Sequence, residues 1–230
     1  DLGYSAARDA LKKAELEAKD IDLIIASTLT PDYYFPGIGV LIQNKLEAHM
    51  PAIDIRGQCS GFSWGITTAS AFIASNQYKR IMIIGAELQS RIMEFSNRGR
   101  NVSVLFGDGA GAMILEAEIH AEKAKTSNSI RGVIDNIMGN DGSGAETLAI
   151  TRPGMSGPKD FITPEEASEK AFLPYMDGRQ VFKNAVTRLS EAANTILERN
   201  NISSDQIDLM IPHQANIRIN NAVAQKLNIS

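Results

Sequence analysis

Cys59 is the only cysteine in the 230-residue chain. It follows the short apolar stretch Ala52–Ile55 and the linker Arg56-Gly57-Gln58, and it opens a segment rich in small residues that reads as a helix. A helix N-terminus presents unpaired backbone N–H groups and a partial positive charge, which favour a thiolate and lower its pKa. A thiolate at such a place can exchange acyl groups with thioesters. A buried structural cysteine is the other reading, and this context alone leaves the two on an equal footing. His213 stands in Ile211-Pro212-His213-Gln214-Ala215-Asn216, directly after the apolar run Ile207–Ile211. Positions just beyond strand C-termini are where α/β proteins build sites. A neutral imidazole there can donate from Nε2 to charge growing on a thioester oxygen, although a lone histidine after a strand is more often a satisfied polar residue.

Two other groups invite chemical readings. The glycines of Phe106-Gly107-Asp108-Gly109-Ala110-Gly111 have G-x-G-x-G spacing, and Met113-Ile114-Leu115 after them reads as strand. A dinucleotide site needs a helix N-terminus under the pyrophosphate, so nucleotide binding is rejected there. Arg98, Arg100 and Arg218 are either solvated surface or a basic patch suited to phosphate groups.

The elements that must hold these residues follow from periodicity. Helical spacing of Ala6, Ala7, Ala10, Leu11 and Ala14 predicts a helix over 3–18. Further helices are expected at Ile38–Leu46, Ser60–Ser75, Val181–Glu198 and Ile217–Leu227. Strands are expected at Ile21–Ala26, Ala52–Ile55, Ile81–Gly85, Asn101–Phe106, Ala110–Glu116 and Ile207–Ile211, with Gly107-Asp108-Gly109 joining two of them. Between about 120 and 175 the pattern weakens to a strand and a long surface excursion. Alternating strands and helices argue for α/β layering.

An internal repeat organises the chain. Ala6-Ala7 through Ile21-Asp22-Leu23 aligns without gaps on Ala192-Ala193 through Ile207-Asp208-Leu209, with Leu11 matching Leu197 and Leu16 matching Ile202. It places His213 and the Thr28–Pro31 turn at equivalent positions of two related halves. The counterpart of the Cys59 strand and helix would then lie beyond Ser230. With Asp1 in place of an initiator methionine, the chain is expected to be a fragment.

Composition bounds the partners. A 43% hydrophobic and 22% charged make-up with net charge −4 gives no bulk electrostatic reason for nucleic acid or an acidic membrane surface. A single cysteine forms no internal disulfide, which fits a cytoplasmic setting, and it excludes zinc sites built on paired cysteines.

Four blocks in series resemble one family. "DIRGQCSGFSWGI" around Cys59, "NRGRNVSVLFGDGAGAMIL" at 97–115, "PYMDGRQVFKNAV" at 174–186 and "IDLMIPHQANIRI" at 207–219 look like β-ketoacyl-acyl-carrier-protein synthase III of the thiolase-like superfamily. The resemblance implies a thiolase-like five-layer αβαβα fold built from two similar halves, the second incomplete here, divided as 1–117 and 118–230. It implies a homodimer and a decarboxylating Claisen condensation. An acyl group would pass from acyl-CoA to Cys59 and then meet malonyl-acyl-carrier-protein, with no cofactor and no metal. His213 takes the family's catalytic histidine position, and a third catalytic residue, an asparagine, is expected beyond Ser230. Similarity further places Arg98, Met176, Gly178, Phe182, Ala215, Asn216 and Arg218 along the CoA or carrier tunnel. Phe35 matches a residue that gates the partner's acyl pocket. Arg100-Asn101 look inserted, and the 135–175 excursion is long for the housekeeping enzyme. A condensing enzyme of secondary metabolism with a longer primer is therefore an alternative, and a catalytically silent partner subunit another.

Overall fold

The structure is a computed structural model describing residues 1–117, 132–155 and 160–229. Contacts divide the chain into two compact units, Asp1–Leu88 with Asp108–Asn136, and Gln89–Gly107 with Ile137–Ser230.

The first unit is built on four strands, β1 (Leu23–Ser27), β2 (Ala52–Ile55), β3 (Arg80–Leu88) and β4 (Asp108–Glu116). Their order is β2-β1-β3-β4; the first three run parallel and β4 returns antiparallel along β3. β1 and β3 read as unbroken apolar runs because helices cover both faces. Their side chains alternate between two cores. Ile24, Ala26, Met82 and Ile84 join Ala7 and Leu11 of α1 (Leu2–Ala14) and Ile38 and Ile42 of α2 (Ile38–Lys45) on one face. On the other, Leu23, Ile25, Ile81 and Ile83 pack with Phe62, Ile66 and Ala69 of α3 (Gly61–Ala74). This unit therefore has helix–sheet–helix layering.

α1 stops at Ala14, short of the expected residue 18, because Glu15 turns left-handed (φ 56°) and Leu16 N–H donates to Leu11 O at 3.0 Å. α2 begins under a carboxylate. Ile38 N–H and Gly39 N–H donate to Asp54 of β2 at 2.7 and 2.8 Å, and a Cβ on Gly37 would overlap that carboxyl group. Asp54→Ala is expected to lower stability by about 1 kcal/mol, the usual worth of a helix cap. Denaturant unfolding with an unchanged m-value would register it.

In the second unit α6 (Gly178–Arg199) packs on α7 (Ile217–Leu227) through Val186, Ile219, Val223 and Leu227. Asp177 caps α6 by accepting from Gln180 N–H at 3.0 Å. Two short strands, β5 (Leu148–Ala149) and β6 (Tyr175–Met176), pair antiparallel. Between them the surface excursion is tied down by buried Arg152. It donates to Gly154 O, Asp160 O and a carboxylate oxygen of Glu166, while Glu166 and Thr163 form the capping box of α5 (Pro164–Ser168). The strand expected near residue 120 lies outside the described residues.

Two expected strands are corrected. Residues 101–106 contain the short helix α4 (Arg100–Ser103), with Val102 and Ser103 N–H groups both donating to Gly99 O at 2.9 Å. Gly107 therefore leads into β4 and joins no pair of strands; β4 itself occupies the β3 edge from Asp108 onward. Residues 207–211 are also not a strand. Strand geometry is held by ladder partners, and among the described residues none pairs with this run.

The repeat is nevertheless written into the backbone. Left-handed Glu15 is matched by left-handed Asn201 (φ 53°). The 3₁₀ turn Ala18–Asp20 is matched by Ser204–Gln206, each with its own capping box. The Leu16→Leu11 hydrogen bond is matched by Ile202→Leu197 at 2.9 Å. The copies diverge only at the strand: Leu23 and Ile25 are 2% and 1% exposed, whereas their counterparts Leu209 and Ile211 are 74% and 79% exposed.

Candidate active site

Cys59 sits in a 3₁₀ turn, Gln58–Ser60, immediately before α3. Three features force that turn. Gln58 is left-handed (φ 46°), a conformation that costs a non-glycine residue about 1 kcal/mol or more. Gly57 lies so close to its neighbours that a Cβ there would be 2.8 Å from Trp64 and 2.9 Å from Gly61 Cα. Ser60 closes the turn from both backbone N–H and hydroxyl, donating to Gly57 O at 3.1 and 2.8 Å.

The turn is seated on the C-terminal edge of the parallel sheet. Ile55, Ser27 and Gly85 are in register across β2, β1 and β3. Gly61, two residues after Cys59, lies directly over buried Ser27; a Cβ at Gly61 would come within 1.8 Å of Ser27 Oγ. Phe62 lies over Gly85, and Gly65 packs against Ile83.

Cys59 is an exposed residue with a free thiol. Protein atoms around the sulfur still strip water from it, and this burial pushes the thiol pKa up. A hydrogen bond from its own backbone N–H works in the opposite direction, and the charge of Glu87 adds to the rise. The lowering expected from the helix N-terminus is therefore outweighed, and the resting group is a thiol.

Glu87 was not singled out from the sequence. Its carboxylate accepts from Leu29 N–H at 2.8 Å and Thr30 Oγ1 at 3.0 Å, while Leu88 N–H donates to Thr30 Oγ1 at 2.7 Å. Glu87 is the penultimate residue of β3, at the C-terminal end of the strand, where α/β sheets build their sites.

The other candidates divide between the units. Phe35 belongs to the first, on the loop before α2, 81% exposed with its ring edge-on to Tyr34. The remainder belong to the second. Arg98 Nε pairs with Glu94 at 2.7 Å, and Lys170 reaches the same carboxylate at 3.4 Å. Met176 lies in β6, while Gly178 begins α6 and Phe182 lies in its second turn. Asn216 caps α7 by accepting from Arg218 N–H at 2.9 Å, so its side-chain oxygen is already engaged. Ala215 precedes it, and His213 precedes both in an irregular segment. His213 is exposed as a residue, yet desolvation lowers its pKa, favouring neutral imidazole at neutral pH. A strand rather than a helix follows Gly107, in agreement with rejecting a dinucleotide site. Among the described residues no group of three or more His, Cys, Asp or Glu could hold a metal ion, and no helix is long and apolar enough to cross a membrane.

A cysteine-bearing turn at the head of a small-residue helix, over a sheet with helices on both faces, fits a thiolase-like fold. The crystal structure of 3-oxoacyl-[acyl-carrier-protein] synthase III from Aquifex aeolicus VF5 superposes with a TM-score of 0.83 at 34% identity, over 99% of this chain and 65% of that one. Residues 53–132 match the 3-oxoacyl-[acyl-carrier-protein] synthase III family, and 197–230 match that family's C-terminal region. A β-ketoacyl-[acyl-carrier-protein] synthase III of Clostridium tetani (strain Massachusetts / E88) is 37% identical over the whole chain, and one of Chlorobium chlorochromatii (strain CaD3) is 38% identical over 97% of it. The chain spans 66% and 64% of the length of these two relatives. It belongs to the 3-oxoacyl-[acyl-carrier-protein] synthase III family.

Proposed function

We propose that the protein of which this chain is a part condenses an acyl-CoA primer with malonyl-acyl-carrier-protein, losing CO2 and giving 3-oxoacyl-acyl-carrier-protein, the step that starts fatty-acid synthesis. The observation that carries this reading is Cys59 on a strained turn at the head of α3, in a chain of this family.

In the first half-reaction the Cys59 thiol gives its proton to solvent and the thiolate attacks the thioester carbonyl of acyl-CoA. The tetrahedral intermediate expels CoA thiolate and leaves an acyl thioester on Cys59. The Cys59 backbone N–H is a donor for the oxyanion. In the second, malonyl-acyl-carrier-protein loses CO2, and the electron pair released becomes an enolate. This carbon attacks the acyl carbonyl, forms the carbon–carbon bond and returns the electron pair to the Cys59 sulfur. His213, neutral and donating from Nε2, takes the role of stabilising the enolate oxygen. Arg98, Arg218, Met176, Gly178, Phe182, Ala215 and Asn216 are assigned to the CoA or carrier passage, and Phe35 to the acyl pocket of a homodimer partner. The halves, 1–117 and 118–230, each supply one of the two catalytic side chains, in a cytoplasmic enzyme whose thioesters are substrates and which needs no cofactor.

The test is reconstitution with acyl-CoA and malonyl-acyl-carrier-protein in the intact protein. Mass spectrometry is expected to find an acyl adduct on Cys59 and a 3-oxoacyl product on the carrier; an adduct at another residue, or none, overturns the reading. His213→Ala is expected to lower condensation about 10²-fold while leaving acyl transfer to Cys59 within a few-fold. The sign of the pH effect follows from the lowered pKa. His213 stays neutral down to below the ordinary histidine value of about 6.5, so condensation falls only at lower pH. That acid limb is expected to disappear from the pH–rate profile of the variant.

A further inference from the structure

We propose that Glu87 is a positioning residue of the Cys59 site: it clasps the Thr28–Thr30 turn to the end of β3 and sets a fixed negative charge beside the nucleophile's turn. The inference rests on the assignment of Cys59 as nucleophile and adds the residue that sets its resting state.

Strand geometry places the carboxylate. Successive side chains of β3 alternate faces, and Ile81 and Ile83 point to the α3 side. Gly85, next on that side, is covered by Phe62, and Glu87 follows two residues later. Phe62 is three residues after Cys59 in the chain, and Ile55, Ser27 and Gly85 form one line across the sheet. Beyond that line the chain continues as the Cys59 turn from β2, the Thr28–Thr30 turn from β1 and Glu87 from β3. Glu87 thus shares with Cys59 both the strand-end edge and the α3 face.

The clasp holds the carboxylate still. Leu29 N–H and Thr30 Oγ1 each take one of its oxygens, Thr28 Oγ1 accepts from Thr30 N–H at 3.0 Å, and Leu88 N–H closes the loop on Thr30. A charge fixed in this way cannot swing away from the thiol.

Other charged residues flank the turn in the chain. Helix α3 carries no ionisable side chain. Asp54 on β2 is turned to the N-terminus of α2. Arg56 lies in the linker itself and Asp32 beyond the Thr28–Thr30 turn. Among the described charges it is Glu87 that acts on Cys59, in the same sense as burial, by disfavouring thiolate. The result is a nucleophile kept as thiol between turnovers, less open to alkylation and oxidation than an exposed, activated cysteine.

The experiment follows the pH dependence of Cys59 alkylation by iodoacetamide, read by mass spectrometry, in the intact protein and in Glu87→Gln, Glu87→Asp and Thr30→Val. Glu87→Gln is expected to move the midpoint to lower pH by about half a unit, so that alkylation at neutral pH runs roughly threefold faster. Glu87→Asp and Thr30→Val keep the charge but loosen its hold, and are expected to move the midpoint by less than Glu87→Gln does while losing thermal stability. A parent-like midpoint in folded Glu87→Gln, or an equal shift in Thr30→Val, overturns the proposal. Salt provides a second measurement that needs no variant. Screening of a nearby negative charge is expected to lower the parent's midpoint as ionic strength rises, and a midpoint that stays fixed or rises counts against it. Alkylation requires no condensation, so failure here is distinguishable from failure to form an acyl-enzyme.

Discussion

Cys59→Ala is expected to eliminate the covalent acyl adduct and to lower condensation by about 10³-fold or more, since the alternative is direct attack on a free thioester. Cys59→Ser is expected to fail nearly as badly. The site is arranged for sulfur: burial raises even the thiol's pKa, and a serine hydroxyl, far less acidic in water, would lie still further from an attacking anion. Neither change should disturb the fold, because Cys59 is exposed and its side chain belongs to neither apolar core of its unit. The loss is therefore to be read with unchanged circular dichroism and melting temperature. The raised pKa adds a signed prediction. The thiolate fraction of the parent is small at neutral pH and grows as pH rises through the thiol's own value, above the ordinary 8.5 or so. First-turnover acylation, followed by rapid quench and mass spectrometry, should keep rising past pH 8.5 where an unperturbed thiol would level off.

How much of this was legible beforehand depends on whether the determinant is local. β1 and β3 announce themselves as apolar runs, and Ala52–Ile55 and Ile217–Leu227 have the bounds their patterns predict. Ile207–Ile211 has the same apolar content as Ile21–Ala26 and follows the same helix, turn and capping box. It forms no strand, because a ladder is a property of its partners and not of the run itself. Val102 and Val104 misled in a related way: branched side chains favour a strand only where a ladder partner meets them, and this run instead closes as a helical turn on Gly99 O. At the site, Cys59 stood out by residue type and position. Gln58 did not, since glutamine carries no signal for a left-handed backbone and is held there by the closure of the turn around it. Glu87 was hidden because an acid after a buried strand reads as the return of the chain to solvent. Only the register across β2, β1 and β3 puts it at the same edge of the sheet as the Cys59 turn.

Gly61→Val is expected to be the most damaging single change outside Cys59, costing about 3 kcal/mol. By helix propensity alone, replacing glycine in α3 ought to help, by as much as about 1 kcal/mol for alanine. The packing reverses the sign. The first atom added at Gly61 meets Ser27 Oγ at 1.8 Å and Ser27 Cβ at 3.0 Å, and Ser27 is buried at the end of a strand paired on both sides. Rotating the hydroxyl relieves the first clash but leaves the second, so α3 must lift from β1. Lifting α3 also moves the turn that holds Cys59, because Gly57, only 2.9 Å from Gly61 Cα when given a Cβ, is wedged against the same helix start. Acylation should therefore fall together with stability. The pairing can be tested by a double-mutant cycle: Gly61→Ala alone is expected to destabilise by about 1–3 kcal/mol, and adding Ser27→Gly should recover part of both stability and acylation rate. Additive losses in the cycle would show that the two residues do not meet as described. Recovery of stability without recovery of acylation would separate the seat of the helix from the geometry of the Cys59 turn.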